Sequence, residues 1–313
     1  MGYFLGIDTS NYTTSCALYC SNSGEIISKK KLLPVKDGER GLRQSDAVFH
    51  HTKQLPLLMK ELFKNKYEIE ALAYSFAPRL KEGSYMPCFL VGESVGESIS
   101  SAMCIPSYRT SHQIGHILAA LYSCQKLEFL HSDDSFLAFH ISGGTTDMLL
   151  CRSDKEKILD ITEIGSSLDL KAGQCIDRIG VKMEMHFPCG AELEKLALKS
   201  CREFKIKPVL KDMNCCLSGL ENKCLKLLSD GESREDTAKY CLDYICETIV
   251  LMCSNALKKY GQMPVVFAGG VMSNTLIRKK LEERFDGFFA QPQFSSDNAA
   301  GIAIYAAMRK GLI

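Results

Sequence analysis

Ser135-Phe136-Leu137-Ala138-Phe139-His140-Ile141-Ser142-Gly143-Gly144-Thr145-Thr146-Asp147 is an apolar run closed by glycines, hydroxyls and one acid. The run predicts a buried strand, and Asp147–Arg152 predicts its antiparallel partner. A third strand follows at Lys157–Ile164. The same order occurs near the start of the chain. Tyr3–Ile7, Thr13–Tyr19 and Glu25–Leu33 read as a three-strand meander, with Gly6-Ile7-Asp8-Thr9-Ser10 as the turn between its first two strands.

Each meander continues in the same way. After the first come a helix over 45–64, carrying Val48, Leu55, Leu58, Met59 and Leu62 at helical spacing, and a strand at Ala71–Phe76. A loop holding Pro78, Gly83 and Pro87 leads to a helix at about 88–102, a short strand near Ile105 and a helix at about 111–125. After the second come helices at about 170–184, 190–200, 217–229 and 235–259, then a strand at Val265–Ala268 and a helix from Ser273 to Glu283. A last helix runs from about Asp297 to Arg309. The duplication predicts an α/β protein of the actin-like ATPase plan (ASKHA, ribonuclease H-like): two duplicated lobes with a nucleotide and metal cleft between them. The expected division is 1–131 for lobe I and 132–292 for lobe II with a helical insertion at about 170–260. Residues 293–313 form a C-terminal helix returning to lobe I.

Composition narrows the function classes. The chain has 313 residues, 38 Lys+Arg, 37 Asp+Glu and a formal net charge of +1, which excludes a strongly basic nucleic-acid arm or an acidic tail. Lys29-Lys30-Lys31, Lys205–Lys211 and Arg278-Lys279-Lys280 read as solvated faces, with any RNA contact local and salt-sensitive. The fifteen cysteines contain no C-x-x-C pair and are expected to be reduced thiols used as small hydrophobes. Met1–Ser10 reaches Asp8 before a signal-peptide core develops, Gly6 breaks the myristoylation pattern, and the apolar run Ile245–Cys253 contains Glu247. A soluble, cytoplasmic protein that does not engage a membrane is expected.

Several segments carry candidate chemistry, each beside a plainer reading. Ser142-Gly143-Gly144-Thr145-Thr146 can wrap an anion with backbone N–H groups and hydroxyls, or simply close a hairpin. Gly269-Gly270-Val271-Met272-Ser273-Asn274 opens a helix and can lie against an adenosine or its phosphates, or Ser273 or Asn274 can be an N-cap. His112 and His116 stand at i and i+4, a spacing that grips one metal ion or leaves two helical histidines. Gln113 stands where a zinc protease keeps its general base, so protease chemistry ranks last. Asp297 or Ser296 can cap the last helix, and Asp297 can reach the cleft. Asp8 can hold a metal-bound water or position a nucleophile. Asp177 can bind a ribose hydroxyl or pair with Arg178.

In this order the segments resemble the universal tRNA threonylcarbamoyladenosine synthase family (TsaD/Gcp, glycoprotease M22). The matches run from Gly6 to Ala307: Gly6-Ile7-Asp8-Thr9-Ser10, Leu90-Val91-Gly92, His112 with His116, Ile141-Ser142-Gly143-Gly144, Ala172-Gly173, Asp177, Pro188 with Gly190, Ser218-Gly219-Leu220, Ala268-Gly269-Gly270-Val271 with Asn274, and Ser296-Asp297-Asn298. The resemblance implies a threonylcarbamoyl transfer from an adenylate to the adenosine next to the anticodon in tRNA. It implies one divalent metal, Fe or Zn first, on His112, His116 and Asp297. It implies an adenylate ligand (threonylcarbamoyl-AMP, ATP or ADP) on Ile141, Ser142, Gly143, Gly144, Thr145, Gly173, Asp177, Gly190, Gly269, Gly270 and Asn274. Asp8 and Ser10 are the catalytic candidates. A dimerising paralogue and a small ATPase are the implied partners.

The chain departs from the family pattern where the acceptor would bind. Asn11-Tyr12-Thr13 replaces a Cys followed by an acidic pair. Ala77-Pro78-Arg79 replaces Gly-Pro-Gly, and Arg43–His50 keeps only the His of a Pro-Glu-x-Ala-x-Arg-x-His segment. Thr145 stands where the family has a His, and Gln174 where it has a Glu. The implied reading is a divergent paralogue. A nucleotide- and partner-binding paralogue without catalysis, and a plain actin-like ATPase, are the alternatives.

Overall fold

The computed structural model describes residues 2–10, 12–34, 42–295 and 299–311. Contacts divide the chain into two units. The first takes in Met1–Leu127, Asp154–Leu159 and Ser296–Ile313, and the second Glu128–Ser153 and Asp160–Ser295.

The first unit is built on β1 (Tyr3–Thr9), whose residues are buried on both faces beyond Tyr3. Such a strand belongs in the middle of a sheet. β2 (Thr13–Cys20) pairs with it antiparallel, and β3 (Ile26–Leu32) pairs antiparallel with β2. α1 (Gln44–Leu62) buries Ala47, Leu55, Leu58 and Leu62. β4 (Ile69–Ala77) lies parallel to β1, α2 (Phe89–Met103) follows, and β5 (Ser107–Ser111) lies parallel to β4. α3 (His112–Ser123) completes the run. The sheet order is β3-β2-β1-β4-β5. β3 is an edge strand, and Lys29-Lys30-Lys31 lie on it; charged edges resist pairing with another chain.

The second unit repeats that order. β6 (Phe136–Ile141), β7 (Thr146–Asp154) and β8 (Ile158–Ser166) form its meander. α4 (Ala172–Lys182), α5 (Gly190–Ala197), the hairpin β9 (Leu210–Lys211) and β10 (Asn214–Cys215), α6 (Ser218–Ser229) and α7 (Arg234–Tyr260) follow. β11 (Val265–Ala268) then lies parallel to β6. A 3-10 turn at Gly270–Ser273 leads to α8 (Thr275–Glu282), β12 (Gly287–Phe289) parallel to β11, and α9 (Pro292–Ser295). The sheet order is β8-β7-β6-β11-β12, the counterpart of the first sheet strand for strand. α10 (Ala299–Arg309) packs on β1 and α3 of the first unit.

The fold is α/β with two five-stranded mixed sheets of matching order. The structure differs from the sequence reading in detail. β1 continues through Thr9, so Gly6–Thr9 are strand residues rather than a turn. The strand expected near Ile105 starts at Ser107. The helix expected from Ser273 starts at Thr275, because Gly270–Ser273 takes the tighter 3-10 form first. β9, β10, β12 and α9 were not anticipated; at two to four residues they are too short to show a period. Asp297 and the expected start of the last helix lie outside the described residues. Among the described residues no helix is long and apolar enough to cross a membrane.

Candidate functional site

In the first unit the polar groups gather at the carboxyl ends of the parallel strands β1, β4 and β5, where open α/β sheets place ligands. Asp8, the next-to-last residue of β1, is 1% exposed. The Ser75 hydroxyl on β4 donates to its Oδ1. Ser111 caps α3 by accepting the Ile114 N–H at 3.2 Å, which sets His112 as the first helical residue. His112 Nδ1 then lies 3.1 Å from both carboxylate oxygens of Asp8. One turn on, the His116 ring is 4.7 Å from the His112 ring, centroid to centroid. The i, i+4 spacing has thus brought both imidazoles to one face beside Asp8.

Ser10 has a structural setting. Its hydroxyl reaches the Thr13 carbonyl at 3.5 Å, and its carbonyl accepts from His51 Nε2 at 2.8 Å. His51 is fully buried on α1, and its Nδ1 pairs with Thr14 Oγ1 at 2.8 Å; Thr14 also bonds Gln54. Burial holds the His51 pKa below its ordinary value, so the ring is neutral near neutral pH. The sequence reading passed over His51, Gln54, Thr14 and Ser75. The retained family histidine, His50, is only partly buried, and it is its neighbour that enters the core. Asn11 lies outside the described residues. Tyr12 is 43% exposed, and its carbonyl is fixed by the Leu33 N–H at 2.8 Å.

The donor set suits a borderline divalent cation. Two imidazoles one turn apart supply nitrogen ligands, and a carboxylate behind one of them is the usual support for such a ligand. Asp297, the third residue that the resemblance implies, lies outside the described residues. Among the described residues no three His, Cys, Asp or Glu side chains form a metal-holding group. All fifteen cysteines are free thiols, eleven of them buried. Burial, together with nearby Asp8, pushes the Cys88 thiol up to about 12, so it stays protonated.

In the second unit the loop after β6 is held by its own first residue. Ser142 Oγ accepts the N–H groups of Gly144 and Thr145, each at 3.2 Å, and lies 2.8 Å from Thr145 Oγ1. The Ser142 N–H closes the turn on the Thr145 carbonyl at 2.9 Å. Gly143 and Gly144 are exposed, with open space where a side chain would stand. α4 begins against this loop: Gly173 N–H donates to the Ser142 carbonyl at 3.1 Å, and Ala172 N–H to Thr146 Oγ1 at 2.8 Å. A Cβ on Gly173 would fall 2.6 Å from that carbonyl. Gly269, at φ 99°, comes closer still: a Cβ there would fall 2.2 Å from the Ile141 carbonyl. Ile141–Thr145, Gly173 and Gly269 therefore meet at the end of β6. Gly270 faces open space.

The remaining candidates form a second cluster. Asp177 on α4 accepts the Cys189 N–H at 2.8 Å, which ties it to the start of α5 at Gly190. Burial raises the Asp177 carboxyl above the usual range. Arg178 turns away to Glu221 at 2.8 Å, so the expected alternative pairing with Asp177 is not formed. One turn after Gly190, Glu194 accepts the Thr275 N–H at 2.7 Å and also bonds the Thr275 hydroxyl. Asn274 accepts the Ile277 N–H at 3.1 Å and is the N-cap of α8. Glu194 is a further residue that the sequence reading missed, since its partner is 81 residues away. Glu194 and Asn274 together occupy N–H groups in the first turn of α8, and Thr146 and Ser142 do the same for α4. Among the candidate glycines, Gly143, Gly144, Gly190 and Gly270 have open space where a side chain would stand.

The comparisons with known proteins agree with this architecture. The structure is similar to component A of (R)-2-hydroxyglutaryl-CoA dehydratase from Acidaminococcus fermentans (TM-score 0.58, 16% identity, covering 100% of this chain and 99% of that one). It is similar to the activator of 2-hydroxyisocaproyl-CoA dehydratase from Clostridium difficile, solved with bound ADPNP (TM-score 0.55, 15% identity, 99% and 96%). It also resembles full-length HypF in its phosphate- and nucleotide-bound form (TM-score 0.62, 12% identity), covering 99% of this chain and 46% of that one. At these identities the likeness is one of fold, and the fold is that of the actin-like ATPases. The sequence model of TsaD, tRNA N6-adenosine threonylcarbamoyltransferase, matches residues 26–304. The chain belongs to that family.

Proposed function

We propose that this protein transfers a threonylcarbamoyl group from threonylcarbamoyl-AMP to the N6 amine of the adenosine next to the anticodon in tRNA. The observation that carries the reading is the presence of two sets, one in each unit, in a chain of this family. One is His112 and His116 backed by Asp8. The other is the exposed glycine loop Ser142–Thr145 seated on Gly173. His112, His116 and Asp297 would hold a divalent metal, iron or zinc. When bound, the metal supplies Lewis acidity for a carbonyl oxygen. The amine attacks the carbamoyl carbon, the bond to phosphate breaks, AMP leaves and the amine loses a proton.

The chain's own part is binding and orientation. Ser142, Thr145 and the Gly143-Gly144 backbone face the phosphate, with Gly269 and Gly270 giving the adenosine a surface free of side chains. Asp177, Gly190 and Asn274 line the rest of the nucleotide. Asp8 is engaged by His112 and Ser75, so it orients rather than shuttles a proton, and Ser10 shapes the β1–β2 turn. Partners of the pathway, a dimerising paralogue and a small ATPase, would assemble with this protein.

One observation favours a second reading, a paralogue that binds nucleotide and partner without turnover. Tyr12, an exposed aromatic, and Thr13, the first residue of β2, stand where the family carries carboxylates. The test combines purified protein, threonylcarbamoyl-AMP, tRNA and the pathway partners, with mass spectrometry of the tRNA nucleosides. Threonylcarbamoyladenosine is the expected product. Its absence from a protein that binds adenylate and metal supports the second reading. Product gained only by Tyr12→Asp with Thr13→Glu then shows that the pocket is otherwise competent.

A further inference from the structure

We infer that Lys205, Lys207 and Lys211, with Lys258 and Lys259 at the end of α7, form a contact face for the phosphate backbone of an RNA. The inference rests on the reading of tRNA as acceptor and adds where the second unit would hold it. From sequence, Lys205–Lys211 reads as a solvated face; the structure gives it an order. Residues 200–209 lie in no helix or strand and lead into β9. Exposure alternates along them. Lys205, Lys207, Val209 and Lys211 are exposed, while Ile206, Pro208 and Leu210 are half-buried between them. Ile206 and Leu210 pack against the core of the second unit. That is the period of an extended chain with one face on the core. Successive outward side chains then stand about 6.6 Å apart, and Lys205 to Lys211 covers about 20 Å.

The segment runs along α7 and brings the row to the lysines at its end. The Phe204 ring meets Tyr240 edge to face at 5.2 Å. At the other end, Asp212 lines an open cleft of about 440 Å³ with Met213, Asn255, Lys258 and Lys259. Tyr240 to Lys258 is about 27 Å of helix. Residues 204–212 cover about 26 Å when extended, so the two lengths agree. Lys258 and Lys259 thus continue the row. None of the five lysines is in an ion pair among the described residues, whereas other cations of this unit are. Lys239 and Lys280 hold Asp243 at 2.7 and 2.6 Å, Arg178 holds Glu221 at 2.8 Å, and Arg202 holds Glu232. Glu203 and Asp212, the acids of the segment, leave the face with a surplus of positive charge. Ammonium groups set out along a line, rather than paired, suit a partner with charge repeated along a backbone. RNA phosphates provide that repeat, and contacts to them position a strand without reading its sequence. An acidic protein surface lacks it.

The test uses the full chain and an unmodified tRNA transcript, with binding followed by fluorescence anisotropy from about 50 to 200 mM salt. Lys205→Ala with Lys207→Ala and Lys211→Ala is expected to weaken binding about 10-fold or more at the lower salt and to reduce the salt slope by about 3. Lys258→Ala with Lys259→Ala is expected to reduce the slope by about 2. An RNA hairpin of unrelated sequence should lose affinity by the same factors. The corresponding triple Lys→Arg variant, which keeps the charge, is expected to bind as the wild type does, and thermal melting checks that each variant folds. Lys64→Ala with Lys66→Ala, exposed lysines of the first unit, is expected to change nothing. In the transfer assay the row variants are expected to raise KM for tRNA at an unchanged kcat and to keep their AMP affinity. Absence of RNA binding by the wild type, or unchanged affinity and slope in both alanine variants, overturns the face whether or not transfer occurs. Loss of association with a pathway partner, with RNA binding intact, overturns it in favour of a protein interface. RNA binding that depends on the row, with no threonylcarbamoyladenosine formed, overturns the transfer reading and leaves the face in place.

Discussion

Single residues decide how closely the second unit's loops approach. Gly173 and Gly269 each place a backbone carbonyl where a Cβ would stand, and Gly269 also has a left-handed φ. Gly269→Ala is expected to cost about 2–3 kcal/mol, read by urea denaturation, because it adds overlap to an unfavourable backbone. Gly173→Ala is expected to displace the Ser142–Thr145 loop and to weaken AMP binding, measured by calorimetry, more than it lowers the melting temperature. His51 gives a pH signature. Its folded pKa is held below the unfolded value of about 6.5 by burial, so the stability from its neutral ring is complete above that value. It is lost as pH falls through the lower folded pKa. Wild type and His51→Gln should therefore differ most in stability above about pH 6.5 and converge as pH falls below it. The residues readable from sequence were those with local spacing: the paired glycines, and His112 with His116. Ser75, His51 and Glu194 were not, because their partners lie 67, 41 and 81 residues away and only the folded sheet brings them in.

At the scale of elements, the candidate site depends on how helices begin. α3 begins with the Ser111 cap, α8 with Asn274 and α4 against the Ser142 carbonyl. Asn274→Ala is expected to destabilise by about 1 kcal/mol as a lost N-cap. Glu194→Ala is expected to free the Thr275 N–H and to loosen α5 from α8, seen as faster amide exchange at Thr275 and along the first turn of α8. The Gly-Gly-Val segment was legible as a helix entry, but its 3-10 turn was not: four residues carry no periodicity to separate it from the helix. The long helix α7 was legible to within a residue at each end, since its buried residues repeat at helical spacing over many turns.

Over the whole molecule, the repeated meander led to the fold class because two copies of the same element order are a stronger signal than either alone. The strand orders β3-β2-β1-β4-β5 and β8-β7-β6-β11-β12 come from pairing across crossovers, which no local pattern encodes. The cysteine content has a corresponding test. Alkylation of the native protein should modify Cys104, Cys201 and Cys216, the exposed thiols, and leave the buried ones intact. Metal content should not change, because His112, His116 and Asp297 are the ligands proposed. The central claim, transfer from an adenylate to tRNA, is tested most directly by the stoichiometry of AMP release. With threonylcarbamoyl-AMP, metal and the pathway partners present, the account predicts one AMP released per threonylcarbamoyladenosine formed, and little release without tRNA. AMP release at the same rate with and without tRNA, and no modified adenosine, would contradict it.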